Sequence, residues 1–139
     1  MTTRTTFLIV LIALFSGINA QSQEKTLIEK TIHTYFDGWQ TGDTTKLGKA
    51  IHTSCKLKSI ADNQIKVTDR KTYLSWFEPH PKLENTTANI ITLDITGNTA
   101  AAKCQIKTPK VIFTDYFNLL KIKDQWYIVD KIFSRADVK

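Results

Sequence analysis

The chain has 139 residues, of which 42% are hydrophobic and 23% charged, and its formal net charge is +6. This length and composition are typical of one globular domain and exclude a disordered or fibrous segment. The basic residues are spread along the chain without a dense run, and no recognised nucleic-acid motif accompanies them, so we expect no nucleic-acid partner.

The N-terminus differs in kind from the rest of the chain. Residues 1–6 carry one positive charge, residues 7–15 are an unbroken apolar run, and small residues lead to Ala20. This order predicts a signal peptide over residues 1–20, cleaved after Ala20, and one domain over residues 21–139. An uncleaved membrane anchor is the alternative, but the apolar run is shorter than the roughly 20 residues that cross a bilayer. We therefore expect a secreted or periplasmic protein with no membrane attachment after the signal is removed.

A helix with one buried face is predicted from about Gln23 onward. Apolar side chains recur there at helical spacing. This stripe consists of Ile28, Ile32, Tyr35, Phe36 and Trp39. Gly42 supplies the left-handed residue that ends the helix, and Asp43 can cap a short second helix. Trp39 therefore faces inward at the edge of the core, in the last turn of the first helix.

Two short strands and a third helix follow. Apolar residues and lysines alternate over residues 55–60, and together with residues 63–68 this pattern predicts a pair of strands. Residues 68–78 are predicted to contain the third helix, which Asp69 can cap and Pro79 ends.

The second half of the chain is predicted to be strands. Gly97-Asn98 is a two-residue hairpin signal. Folding the chain there pairs Ile95 with Ala100, Leu93 with Ala102 and Ile91 with Cys104. A second, longer hairpin over residues 111–133 is predicted to turn at Asp124-Gln125. The order of elements predicts an α+β domain, in which helices cover one face of a curved antiparallel sheet.

Four stretches of the chain resemble the nuclear transport factor 2-like superfamily. They are GWQTGD at 38–43, IHTSCKL at 51–57, TDYFNLLK at 114–121 and QWYIVDKIF at 125–133. The resemblance covers about residues 24 to 135 and is greatest to the branch called putative lumazine-binding proteins. It implies a cone (the cystatin-like fold), in which a curved sheet wraps a long helix and leaves a pocket at the open end. Ketosteroid isomerase, SnoaL-type cyclases, scytalone dehydratase and many noncatalytic binders use this fold, so the fold does not decide the function.

Two site positions carry over from ketosteroid isomerase through this resemblance. Counting back from Gly42-Asp43, Tyr35 matches the tyrosine that donates to the oxyanion, and Asp115 matches the protonated aspartate. The position of the isomerase's proton-abstracting aspartate falls on Ser59. A serine hydroxyl cannot take a proton from carbon unaided, which argues against isomerase chemistry.

The resemblance and the strand alternation disagree about Asp115. The resemblance implies that Asp115 points into the cone. A turn at Asp124-Gln125 pairs Leu119 with Asp130 and places the more apolar set of side chains on the opposite face. That set is Tyr116, Leu120, Ile122, Tyr127, Val129 and Phe133. A bulge or a longer loop would reconcile the two, and we follow the resemblance.

The residues predicted to bind a ligand are Tyr35, Trp39, Trp76 and Asp115. Amphipathic aromatic rings suit the mouth of a cone, although plain core packing is the alternative for them. The alternative for Asp115 is a solvated carboxylate or a partner for Lys131 or Arg135. His52 is a further acid–base candidate at the pocket floor, with a local hydrogen bond at a helix end as its alternative.

No metal, cofactor or nucleophile site is predicted. His33, His52 and His80 lie 19 and 28 residues apart, so no two of them stand at the spacing of metal ligands. Cys55 follows His52 too closely to form a catalytic dyad with it. The two cysteines of an exported chain permit one disulfide. In the sheet order that the resemblance implies, however, Cys55 and Cys104 lie several strands apart, and we expect both to be buried and unbonded.

Three functions are compatible with these residues. The leading interpretation is the binding of a small, partly aromatic ligand in the cone, because aromatic side chains lie near its mouth and the base is absent at Ser59. The alternative is a cofactor-free lyase, cyclase or isomerase that uses Tyr35, His52 and Asp115 as acid–base groups. The third interpretation is a noncatalytic interaction module whose cone is filled.

The last hairpin has two apolar faces, which predicts a homodimer through the C-terminal strands. The alternation puts Tyr116, Leu120, Val129 and Phe133 under the helices. The outer patch is then Phe117, Leu119, Trp126, Ile128 and Ile132. Such a patch exceeds what a soluble monomer usually exposes, and a bulge would exchange the two sets without making the outer one smaller. A two-fold partner that presents the same surface would cover it.

Overall fold

The chain folds in the predicted order of helices and strands. The computed structural model describes the backbone from Arg4 and the side chains from residue 20 to Lys139, so the side chains of the predicted signal peptide before residue 20 lie outside the described residues. The described helices are α1 (Arg4–Thr41), α2 (Thr44–Ala50) and α3 (Arg70–Leu74). The strands are β1 (Ile51–Ala61), β2 (Gln64–Asp69), β3 (Thr87–Thr96), β4 (Thr99–Lys107), β5 (Val111–Ile122) and β6 (Gln125–Asp137). Among the residues described, none of the helices combines the length and the apolar character that a membrane span needs.

The helix ends are set by the residues that the sequence indicated. Gly42 ends α1 with φ of 65°, and the Asp43 carboxylate caps α2 by accepting hydrogen bonds from the backbone of Thr45 and Lys46. Asp69 caps α3 in the same way. The third helix ends at Leu74 and not at Pro79 as predicted. The backbone N–H groups of Trp76 and Phe77 donate to the carbonyls of Tyr73 and Leu74, which makes a turn in place of a further helical turn.

The strands form one six-stranded sheet in the order β2-β1-β6-β5-β4-β3. Neighbouring strands are antiparallel except β1 and β6, which run parallel, so the sheet is mixed rather than purely antiparallel. The sheet is curved. The buried stripe of α1 and the inner faces of the strands form one core, and Trp39 packs at its edge as predicted.

The first hairpin, β3–β4, has the predicted turn and two of the three predicted pairs. Ile95 faces Ala100 and Leu93 faces Ala102, but a bulge places Ile90, not Ile91, opposite Cys104. Cys104 is buried, as the predicted pairing required. A bulge is one extra residue in one strand, which simple alternation does not reveal.

The second hairpin, β5–β6, turns one residue earlier than predicted. Lys123 and Asp124 both have positive φ and form the two-residue turn. A bulge at Val129 then changes the pairing from Leu119 with Ile128 to Asn118 with Asp130. The two shifts together decide which face of the hairpin is buried.

The inward face predicted from alternation is wrong, and the face implied by the resemblance is confirmed. Phe117, Leu119, Trp126 and Ile128, which were expected outside, are buried together with Asp115. Tyr116, Leu120 and Ile122, which were expected inside, are exposed instead, and Ile132 is exposed as predicted. Phe133 remains half-buried against the core because the bulge reverses the alternation of β6 beyond Val129.

Both cysteines are buried and free, as predicted. Cys55 lies in β1 and Cys104 in β4, and β6 and β5 separate these strands in the sheet. Burial raises the pKa of Cys55 to about 11 and that of Cys104 to about 12. Both thiols therefore keep their protons at neutral pH and are poor nucleophiles.

Candidate functional site

Four polar side chains meet in the core beside the C-terminal half of α1. They are Tyr35 from α1, Tyr73 from α3, Asp115 from β5 and Lys131 from β6, and we call them the buried polar cluster. Tyr35 and Asp115 are 0% exposed, and Tyr73 and Lys131 are 5% exposed. Polar groups buried this deeply are costly unless they are paired, so their arrangement requires an explanation.

The cluster is a chain of short polar contacts. Lys131 Nζ donates a hydrogen bond of 2.7 Å to the Tyr35 hydroxyl oxygen and lies 3.0 Å from Asp115 Oδ2. The Tyr35 and Tyr73 hydroxyl oxygens are 2.7 Å apart. Either hydroxyl can be the donor in this contact, because the Tyr35 oxygen has two lone pairs and can accept from Lys131 and Tyr73 together.

The Lys131 ammonium is also surrounded by aromatic rings. Its Nζ lies 5.1 Å from the ring centroid of Tyr35, 5.5 Å from that of Tyr73, 5.8 Å from that of Phe117 and 4.9 Å from that of Phe133. The negative faces of aromatic rings attract a cation at such distances, and they partly replace the water that the ammonium has lost.

Asp115 is less well satisfied than its partner. Its Oδ2 lies within ion-pair distance of Lys131, but neither carboxylate oxygen receives a hydrogen bond of good geometry from the described residues. The ion pair alone therefore leaves acceptor capacity unused, at Oδ1 above all. A buried acceptor without a donor costs about 1–3 kcal/mol, which an incoming donor would recover.

The protonation of Lys131 and of the two tyrosines follows from their burial and from their neighbours. Burial would lower the pKa of Lys131, but the neighbouring Tyr73 and Asp115 outweigh burial and hold this pKa above its ordinary value. Burial, as the largest cause, raises the pKa of Tyr35 well above its ordinary value and also raises the pKa of Tyr73. At neutral pH Lys131 is therefore a cation, and both tyrosines keep their protons.

The other predicted ligand-binding residues lie around this cluster. Trp39 is half-buried, and its ring centroid is 5.6 Å from that of Phe113. Phe77 and Phe133 are also half-buried, with the Phe77 ring 5.0 Å from that of Tyr73. We call Trp39, Phe77, Phe113 and Phe133 the aromatic rim. Trp76 is 54% exposed, and its ring is 5.8 Å from that of Tyr73.

His52 is not brought to this site. It lies in β1 rather than at a helix end, and its ring packs 5.6 Å from that of Tyr127, which alternates onto the outer face of the sheet. Its Nδ1 is 2.7 Å from the Ser54 hydroxyl. The expectation that His52 lies at the pocket floor is therefore wrong, because Ile51 takes the inward direction at this point of the strand.

Two members of the cluster were not predicted as site residues. Tyr73 was assigned only to a helix, and Lys131 only to a possible pairing with Asp115. The sequence does contain a signal for Lys131. At the alternate positions 127, 129, 131 and 133, it is the one polar residue among apolar or aromatic ones. With Asp115 facing inward, such a lysine is its natural partner.

No open cavity of those found reaches the cluster. Five of the surface cavities formed by the described residues, of about 330 to 520 Å³, have no cluster residue in their lining. The largest, of about 520 Å³, lies between the Gln21–Glu29 part of α1 and residues 90–95 of β3. Because Tyr35 and Asp115 are fully buried, a ligand reaches them only after neighbouring side chains move.

Known proteins share this fold at low sequence identity. A nuclear transport factor 2-like protein of unknown function from Shewanella baltica has 26% identity and a TM-score of 0.75, covering 83% of this chain and 95% of that one. A putative scytalone dehydratase from Novosphingobium aromaticivorans, at 17% identity, has a TM-score of 0.63 over 88% of this chain and 92% of its own. The protein named Aldolase FrzH, from Cladobotryum sp., is 22% identical over 114 residues, which are 81% of this chain and 91% of that protein.

The family follows from a match over most of the chain. The family model described as "Putative lumazine-binding" matches residues 23–134. Solved structures similar to this chain include nuclear transport factor 2-like proteins, which agrees with the helix-and-curved-sheet architecture. This chain therefore belongs to the family described as "Putative lumazine-binding", within the nuclear transport factor 2-like superfamily.

Proposed function

We propose that this domain binds a small, partly aromatic molecule between the aromatic rim and the buried polar cluster. The observation that carries the proposal is the Asp115 carboxylate, which is fully buried beside Lys131 and receives no hydrogen bond of good geometry from the described residues. A ligand with an N–H or O–H group would supply the missing donor. Its aromatic part would pack on the rings of Trp39 and Phe113, which are only half-buried.

The family supports ligand binding without naming the ligand of this chain. Its description refers to lumazine, and the Shewanella relative has no known function. The cluster offers an ammonium, a carboxylate and a hydroxyl within a small space, so compounds that carry both donors and acceptors suit it. Flavin and pterin precursors are of this kind and belong in the screen below.

A thermal-shift screen of aromatic metabolites tests this proposal. We expect at least one compound to raise the melting temperature of the wild-type protein, and we expect Trp39→Leu to reduce that shift. Tyr127→Leu is the matched control, because Tyr127 is an aromatic residue on the outer face beside His52. If no compound raises the melting temperature while a protein partner co-purifies, the domain is an interaction module with a filled cone.

A cofactor-free lyase, cyclase or isomerase is the second candidate function. Asp115 and Lys131 favour it, because a carboxyl group and an amino group lie 3.0 Å apart in a buried site. The similarity to a protein named as an aldolase supports the same class of chemistry. The candidate no longer includes His52, which lies on the outer face.

We also propose that the protein is exported. This proposal rests on the residue order of the N-terminal segment, in which a charged start precedes an apolar run and small residues up to Ala20. Mass spectrometry of the protein from its native host tests it: a mature N-terminus at Gln21 is expected, and a cytoplasmic chain that begins at Met1 would contradict it.

A further inference from the structure

One of the five surface cavities lies on the flank of α1, outside the cone, and we call it the flank cavity. Its volume is about 480 Å³, and it lies between residues 33–40 of α1 and residues 82–89, which lead into the edge strand β3. Neither the buried polar cluster nor the aromatic rim contributes to its lining, and every lining residue except Phe36 and Ala88 has a polar side chain. The volume is within the range of about 300–1,000 Å³ that is typical of small-molecule sites.

Gln40 is the lining residue that most needs a partner. It lies in the last turn of α1 and is 6% exposed. Its backbone carbonyl accepts from the N–H of Leu83 at 3.1 Å, which holds the following segment beside the helix. The side-chain hydrogen bonds described for this part of α1 do not involve Gln40, so its amide has no partner among the described residues. What remains exposed of Gln40 faces the cavity that it lines, and a molecule bound there would pair the amide.

The other polar groups of the lining offer both donors and acceptors. Asp37 accepts from Lys46 through Oδ2, which leaves Oδ1 for a further donor. The Thr86 hydroxyl donates to the carbonyl of Glu84, so its oxygen can still accept. Asn89 adds a second amide, exposed near the start of β3. An amide or a hydroxyl both donates and accepts, so this lining is complementary to a molecule that carries several hydroxyl groups.

The charges and the ring of the lining favour a neutral molecule with a carbon ring face. Asp37 and Lys82 are the acidic and the basic residue of the lining, so neither sign of charge predominates there. The exposed ring of His33 packs edge-to-face on the buried ring of Phe36, with the ring centroids 5.7 Å apart. The C–H face of a sugar ring can pack on such a flat ring while the hydroxyl groups at its edge reach polar groups on either side.

We propose that the flank cavity binds a neutral pyranose sugar through Gln40, Asn89 and Asp37, with the His33 ring against the sugar ring. His33, Asp37 and Gln40 are spaced by four and three residues, which places them on one face of α1. Each amide matches two adjacent hydroxyl groups, because one accepts from its N–H and the other donates to its oxygen. This site is independent of the ligand proposed for the cone, since the two sites share no residue.

An NMR titration of isotope-labelled protein tests the inference. The probes are glucose, galactose, mannose and N-acetylglucosamine, and the side-chain amide signals of Gln40 and Asn89 are assigned by substitution. We expect at least one sugar to move both signals. Asn89→Ala should raise the dissociation constant of that sugar about 3- to 10-fold, because it removes one hydrogen-bonding amide. Gln64→Ala is the matched control and should leave the constant unchanged, because this exposed amide lies on β2, the opposite edge of the sheet.

Gln40→Met tests the buried amide itself, because methionine has a similar length and no hydrogen-bonding group. It should raise the dissociation constant at least as much as Asn89→Ala does. Circular dichroism checks the folding of both variants, and if Gln40→Met is unfolded, Asn89→Ala decides. Signals of Gln40 and Asn89 that stay in place with all four sugars overturn the inference, and so does an Asn89→Ala variant that binds like the wild type.

Two further measurements define the class of ligand and the place where it binds. Glucuronate has a sugar ring with a carboxylate, and its tighter binding than glucose would make Lys82 the determinant and overturn the assignment to a neutral sugar. Trp39→Leu, the variant of the aromatic rim, should leave sugar binding unchanged. Loss of sugar binding in this variant would place the sugar in the cone and overturn the separate site. Absence of sugar binding leaves the proposed function intact, because the thermal-shift screen tests the cone independently.

Discussion

At the level of single residues, Asp115 and Lys131 are the charged side chains that the described core buries. Both are buried, and each compensates the charge of the other across 3.0 Å. Taking two charges out of water costs more than a typical hydrogen bond returns, so such a pair is weak evidence of a contribution to stability. A pair retained at this cost, beside an acceptor that lacks a donor, is more readily understood as part of a site.

Removal of one partner should therefore be more harmful than removal of both. We expect Lys131→Met to lower the free energy of unfolding by about 3–5 kcal/mol, because it leaves Asp115 as an uncompensated buried charge. The double variant Asp115→Leu with Lys131→Met should regain most of this loss. Denaturant unfolding monitored by circular dichroism measures both. A single variant that is as stable as the wild type would contradict this account of the pair.

The raised pKa of Tyr35 predicts that the free energy of unfolding falls at alkaline pH. Burial raises its pKa well above the ordinary value of 10.0, so the unfolded chain releases this proton at a lower pH than the folded one. The stabilisation from the buried neutral hydroxyl is therefore fully present below about pH 10 and is lost as the pH rises further. The free energy of unfolding should fall between pH 9 and pH 11 by less in Tyr35→Phe than in the wild type. Equal losses in the two proteins would contradict this.

At the level of elements, the end of α1 is fixed by contact with the segment after α3. Gly42 has φ of 65°, and a Cβ there would lie 1.9 Å from the Glu78 carbonyl oxygen. The backbone N–H of His80 also donates to the carbonyl of Thr41. These contacts hold the segment after α3 against the end of α1 and so keep Tyr73 beside Tyr35.

Alanine substitutions at two glycines, Gly42 and Gly97, distinguish the effect of the Glu78 contact from that of backbone strain. Gly97 has φ of 58°, but a Cβ there would meet nothing within 4 Å. Gly97→Ala should therefore cost only the strain of a left-handed residue, about 1–2 kcal/mol, whereas Gly42→Ala should cost clearly more. Thermal unfolding of the two variants compares them. Equal melting temperatures would show that the Glu78 contact is not important.

The sequence predicted most elements but not the side that the last hairpin turns inward. Capping residues and helical stripes depend on neighbours a few positions apart, and Gly42, Asp43 and Asp69 act as predicted. A bulge at Val129 depends on packing against the rest of the sheet, so alternation alone gave the wrong face. The same limit applies to the site, because Tyr73 and Lys131 are 58 residues apart and meet only in the fold.

At the level of the whole molecule, the outer face of the sheet remains largely apolar. Its exposed apolar side chains are Ile60, Ile65, Val67, Tyr116, Leu120, Ile122 and Ile132. They lie on β2, β1, β6 and β5, which are consecutive strands in the sheet. A continuous surface of this kind is larger than a soluble monomer usually exposes, so we propose that a second copy covers it.

Sedimentation equilibrium at micromolar concentration tests this dimer. Alternation placed Trp126 and Ile128 in the outer patch, but both are buried, so charged variants there would disrupt the core. Ile132→Lys is the appropriate change, since Ile132 is 49% exposed on the outer face, and it should produce a monomer. Ile91→Lys is the control, because Ile91 is 51% exposed on the edge strand β3, away from the patch. Wild-type protein with the mass of one chain would contradict the proposal.

The central claim is that the ligand lies between the aromatic rim and the buried polar cluster, and the indole N–H signals of the tryptophans test it most directly. Trp39 belongs to the rim, whereas the Trp126 indole N–H donates to Glu24 at 2.7 Å, on the far side of the core. Each signal is assigned by a Trp→Phe variant and followed by NMR during titration with a compound that raises the melting temperature. The Trp39 signal should move and the Trp126 signal should not. Movement of the Trp126 signal with an unchanged Trp39 signal would place the ligand elsewhere and contradict the account.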